Sequence, residues 1–109
     1  MKLTPLLENL EFHDPDPYAE PLLVSETGRI LRFTLRPGQS VKEHMAPHSP
    51  VYLVVLQGHG MFAGGEGVER KLDPLTLLTF EPGELHQIRA LDEELVLIAF
   101  LHEAPWTHA

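Results

Sequence analysis

The sequence has no cysteine. That excludes a disulfide framework, a thiolate-bound metal and a thiol nucleophile, and it suits a reducing compartment. It also lacks any apolar run of about 18 residues, the length a helix needs to cross a bilayer. Residues Met1 to Leu10 contain one lysine and already carry Glu8, without the basic start and apolar stretch of a signal peptide. The expected location is the cytoplasm. Positive charge is scarce: 8 lysines and arginines stand against 16 aspartates and glutamates, a formal net charge of −8. So acidic a surface repels phosphate backbones and anionic lipid. Nucleic acid and membrane are therefore poor partners, and a small molecule is the expected one. No serine–histidine–aspartate order, phosphate loop or dinucleotide fingerprint occurs. Linkers, low-complexity segments and internal repeats are likewise missing.

What is present suits one compact unit. The 109 residues, 43% of them hydrophobic, match a single domain with one core. Met1 to Asn9 reads as a short amphipathic helix, with Thr4 as N-cap and Pro5 in the first helical position. His13-Asp14-Pro15-Asp16-Pro17 then breaks regular structure. Residues 1–20 are expected to form an arm, 21–102 the main domain and 103–109 a tail carrying Trp106.

From Pro21 onward the pattern is that of strands. Pro21 to Ser25 is a short apolar run. Ile30 to Arg36 alternates, with Leu31, Phe33 and Leu35 on one face and Arg32, Thr34 and Arg36 on the other. Further candidates are Val41 to His44, Val51 to Gln57, Met61 to Ala63, Val68 to Leu72, Leu75 to Phe80, His86 to Ala90 and Leu95 to His102. Turns at Pro37-Gly38, Gly58-His59-Gly60, Gly64-Gly65-Glu66-Gly67 and Pro82-Gly83 separate them. About eight short strands at regular spacing define an all-β sandwich or barrel.

Seven histidines stand at 13, 44, 48, 59, 86, 102 and 108. On an all-β domain without cysteine, clustered imidazoles are where a metal is to be sought. Two stretches resemble the cupin family. Pro37-Gly38, five residues, His44 and then Gly58 reproduce the frame of the first cupin motif, which runs glycine, histidine, histidine, glutamate, glycine. Pro82-Gly83-Glu84-Leu85-His86 is similar to the core of the second. The likeness spans residues 21–102 and implies a jelly-roll β-barrel with a short N-terminal arm and a pocket inside it.

The departures are specific. The second histidine of the motif falls on Ala46 and its glutamate on Val51; Glu81 takes the place of a proline, and the late asparagine falls on Ala90. Of four usual ligands, His44 and His86 remain in register. His48, two residues past the lost histidine, would complete a three-histidine site for a divalent metal (Fe, Zn, Mn, Ni or Cu), or else be a solvated loop residue. Gln57 shares strand parity with Val51 and is expected, with Val51 and Ala46, on the pocket wall. His59, in Gly-His-Gly, reads as an exposed turn. Arg32 and Arg36 read as a solvated face; if a partner covered the leucine face they would line the barrel and hold a carboxylate. The resemblance implies a protein that binds a divalent metal and a small metabolite, with oxygenase or isomerase activity among the family's chemistries. The alternative is a metal-free binding or sensor domain.

Val51 to Leu56 is apolar on both alternating faces, so a lone barrel would leave one of them in water unless an arm covered it. A homodimer is the expectation. Light scattering at micromolar concentration should return about twice the chain mass of 12.3 kDa; the single-chain mass would exclude the dimer.

Overall fold

The computed structural model describes residues 1–44 and 49–102, with the backbone alone described at 42–44. Among the described residues nine strands follow in order: β1 (Tyr18–Ser25), β2 (Gly28–Leu35), β3 (Ser40–His44), β4 (Val51–Gln57), β5 (Gly60–Ala63), β6 (Arg70–Leu72), β7 (Leu77–Phe80), β8 (His86–Ala90) and β9 (Leu95–His102). There is no helix among the described residues, and so none long and apolar enough to cross a membrane.

The strands form two antiparallel sheets, of order β1-β2-β9-β4-β7 and β3-β8-β5-β6. Apart from the edge strand β1, successive strands cross from one sheet to the other or join within one by tight hairpins, the order of a jelly roll. The core lies between the sheets. It takes Leu35 from β2, Val51, Leu53 and Val55 from β4, and Leu95, Leu97 and Ala99 from β9; Phe62 from β5 and Ile88 and Ala90 from β8 face them. The strict period of two along β2, β4 and β9 is why these side chains share one face. Gly58 must be a glycine: its φ is 81°, and a Cβ there would sit 2.0 Å from the carbonyl oxygen of Glu94. That close approach seats the β4–β5 turn on the β8–β9 turn.

The N-terminal segment differs from expectation. No helix forms over Met1 to Asn9. Nucleating so short a helix is unfavourable, and its carbonyls are used elsewhere. Arg32 is 3% exposed and donates from Nη1 to the carbonyls of Pro5, Leu6 and Glu8 (3.3, 3.1 and 3.2 Å). Its Nη2 holds Glu20 Oε1 at 2.6 Å. Thr34 donates to the Glu11 carbonyl, Arg36 to that of Phe12 at 3.0 Å, and Gln39 to those of His13 and Pro15 at 2.7 and 3.0 Å. The Arg32–Thr34–Arg36 face is thus neither a solvated surface at Arg32 nor the barrel lining. It is a row of donors that binds the arm along the outside of β2.

Beside the arm, Val96 and Ile98 of β9 are buried although their parity turns them away from the core. Tyr52, Leu77 and Phe100, on the same outer face, remain exposed.

Replacing Arg32 by Ala leaves three arm carbonyls and a carboxylate without their donor. Removing one member of a buried ion pair costs on the order of 3 kcal/mol, so the melting temperature should drop by several degrees. Proteases should then cut within residues 5–12 well before the rest of the chain. An unchanged melting temperature with an arm still resistant to cleavage would contradict this anchoring.

Candidate ligand cavity between the two sheets

At one end of the sandwich the core is incomplete. A cavity of about 240 Å³ opens there, walled on one side by Leu31 and Phe33 of β2, Val51 and Leu53 of β4, and Ala99 and Leu101 of β9. The facing sheet contributes Val41, Ile88 and His86, and Arg29 stands at the rim. Register explains the set. Arg29 pairs with Leu101 and Leu101 with Val51, so the three form one row across the larger sheet. On the smaller sheet residue 44 is the cross-strand partner of residue 86.

His86 is 5% exposed. Its Nδ1 lies 3.4 Å from the Glu84 carbonyl. A carbonyl only accepts, so Nδ1 carries the proton in this contact. The ring also packs on Phe80, with centroids 4.9 Å apart and planes tilted by 31°. Carbonyl and phenyl ring together hold the imidazole in one orientation.

Glu84 braces the turn that carries His86. Its Oε2 accepts from the Gly65 amide at 2.9 Å and its Oε1 from the Glu81 amide at 3.0 Å. These backbone hydrogen bonds, Gly65 first, lower its pKa from the ordinary carboxyl value, with a smaller contribution from the nearby His86. A lowered folded-state pKa means that the brace is fully present above the ordinary carboxyl range and is lost as pH falls through the lowered value.

The residues expected at the site fall in several places. Val51 and His86 line the cavity. The backbone of residue 44 lies opposite His86; its side chain, Ala46 and His48 lie outside the described residues. Gln57 is half-buried at the far end of β4, where a bulge between Val55 and Gln57 breaks the parity that linked it to Val51, and it is not among the residues lining the cavity. His59 is more than an exposed turn: its two ring nitrogens contact Asp73 Oδ1 at 2.6 Å and Glu93 Oε1 at 2.8 Å, tying the β6–β7 and β8–β9 turns together. Among the described residues no three His, Asp, Glu or Cys side chains converge on one point.

Arg29 is the residue that sequence reading passed over. Its parity is that of Leu31, Phe33 and Leu35, a signal visible once the strand starts at Gly28 rather than at Ile30.

No family model and no curated protein matches the sequence. Solved structures do. An RmlC-like cupin protein from Desulfovibrio desulfuricans is 28% identical, with a TM-score of 0.82 over 93% of this chain and 96% of that one. An uncharacterised protein with a double-stranded β-helix domain from Klebsiella pneumoniae superposes with a TM-score of 0.86 at 17% identity, over 94% and 90%. A cupin 2 conserved barrel domain protein from Salinispora arenicola gives 0.76 at 21% identity, over 95% and 90%. The chain has the fold of these small cupin-type domains: two sheets in jelly-roll order with a histidine on the wall of the cavity between them.

Replacing Glu84 by Ala should speed hydrogen exchange at the Gly65 and Glu81 amides by roughly tenfold, the effect of losing one hydrogen bond to a charged acceptor. In the unmodified chain the same loss should appear only as the pH falls below the ordinary carboxyl range, because the Glu84 pKa is lowered. Equal protection in E84A and the unmodified chain would show that the carboxylate does not brace the turn.

Proposed function

We propose that the chain binds a small metabolite in the cavity between the sheets and holds a divalent metal there through His44, His48 and His86. The observation that carries the reading is the buried, oriented ring of His86 on the cavity wall, with residue 44 as its cross-strand partner. Directly opposed residues of an antiparallel pair share a face, the relation two ligands of one ion require. None of the described lining residues is a carboxylate, so the donors would be imidazoles, which suit first-row ions such as iron, zinc, copper and nickel. Three such ligands leave coordination positions open; the ion, when bound, would supply a Lewis acid to an oxygen of the ligand.

A specific observation favours a second reading, a metal-free binding domain. Val51 stands in the register position where the family carries a carboxylate, and the wall around it is almost entirely apolar.

Elemental analysis of protein purified without a histidine tag separates the two. The metal reading expects about one ion per chain, reduced alike by His44→Ala, His48→Ala and His86→Ala. No metal in the purified protein, and none taken up from added iron, manganese, zinc, nickel or copper salts, would leave the metal-free domain. Full metal in H48A, with loss in a Glu43 or Glu81 variant, would overturn the three-histidine set.

A further inference from the structure

The described walls of the cavity that the proposed function uses are almost entirely hydrocarbon. Eight of the ten described lining residues are apolar, and the other two, Arg29 and His86, already interact within the chain. The backbone adds little. All ten residues lie on strands, and each of those strands except the edge strand β3 is paired on both sides. Their amides and carbonyls are therefore engaged in the sheet ladders. Register puts the missing volume in the middle of the floor. Ala99 stands between Leu31 and Leu53 in one row across the larger sheet, a small side chain flanked by two large ones. Val51 and Leu101 form the next inward row.

Resting on the reading of this cavity as a ligand site, we infer that its ligand has a hydrocarbon body the size of one aromatic ring with a short substituent, and that Ala99 makes the space for it. Size and lining both point there. An apolar cavity of about 150 Å³ lined by leucine, isoleucine and phenylalanine stays dry and binds benzene. This one is lined in the same way and measures about 240 Å³, room for a ring and a few further atoms. It is below the roughly 300–1,000 Å³ of sites that take drug-sized molecules. Water is a poor occupant of such walls, because it needs two to four polar partners. A hydrocarbon displaces it without losing a hydrogen bond and gains contact with Leu31, Leu53, Ile88 and Leu101. A sugar fits the lining poorly. Its hydroxyls would meet almost no polar partner on the described walls, and each one left unpaired is costly to bury. The assignment does not depend on whether a metal is held at His86.

The test is an NMR titration of methyl-labelled protein with benzene, toluene and ethylbenzene and, in parallel, with glucose and glycerol. The aromatic probes are expected to shift the methyl signals of Leu31, Leu53 and Ala99 saturably. Their affinity should rise about fourfold for each added carbon, the effect of burying one more methylene. The two polyols should leave those signals in place at concentrations about tenfold higher. Ala99→Leu fills the middle of the floor and should weaken ethylbenzene binding at least about tenfold. Val51→Ala enlarges the same space and should favour propylbenzene over ethylbenzene, a reading that stands even if A99L does not fold. Glucose or glycerol binding at these methyls as tightly as toluene overturns the hydrocarbon body while the cavity stands. Undiminished ethylbenzene binding by folded A99L overturns the role of Ala99. If no probe of either kind shifts the cavity signals at millimolar concentrations, the reading of the cavity as a ligand site falls and takes this inference with it.

Discussion

Strand β9 runs through the centre of the five-stranded sheet and is apolar on both sides. Leu95, Leu97 and Ala99 turn inward, Val96 and Ile98 outward, and all five are at most 2% exposed. Each larger one contributes about 2 kcal/mol when buried, so the fold is held to whatever covers both faces of this strand. The inner face is covered by the second sheet, through Phe62, Ile88 and Ala90. The outer face is flanked by the N-terminal arm, which is too polar in its backbone to stay there unassisted. Carbonyls laid against the sheet need donors, and the outward side chains of β2 provide them. Arg32 makes sense only in that context: it is a charged residue sunk in the outer layer because three carbonyls and Glu20 are there to meet it.

The same constraint locates the cavity. Along β9 the inward row passes from leucines to Ala99, and the strands beside it offer Val51 at the same end. Those small side chains do not fill the gap between sheets that large ones fill elsewhere. Among the described residues, those that border the gap are few and polar only at His86 and Arg29.

Much of this was legible from residues. Strands β4, β8 and β9 were expected with the bounds they have, because uninterrupted β-branched and apolar runs closed by Gly and Pro turns leave little choice. The likeness to cupins placed His86 on the pocket side, and it lines the cavity. The arm was misread because helix signals in a nine-residue stretch are local, whereas the donors that claim its carbonyls come from more than twenty residues away. Gln57 went astray through a bulge, which no periodicity announces. His59 paired with two acids on different turns, a meeting that only the folded topology creates. Arg29 was missed by starting its strand two residues late, and one more step of alternation would have found it.

The central claim is that the functional end of the barrel is the one bounded by His86, Val51 and Leu101. Manganese(II) added to protein labelled at Val, Leu and Ala methyl groups tests it directly, since the unpaired electrons broaden nearby resonances first. The account predicts early, saturable loss of the Val51, Ala99 and Leu101 methyl signals, with Val55 and Leu95 at the other end still sharp. Uniform broadening across the core, or loss confined to surface methyls with the cavity signals intact, would contradict it.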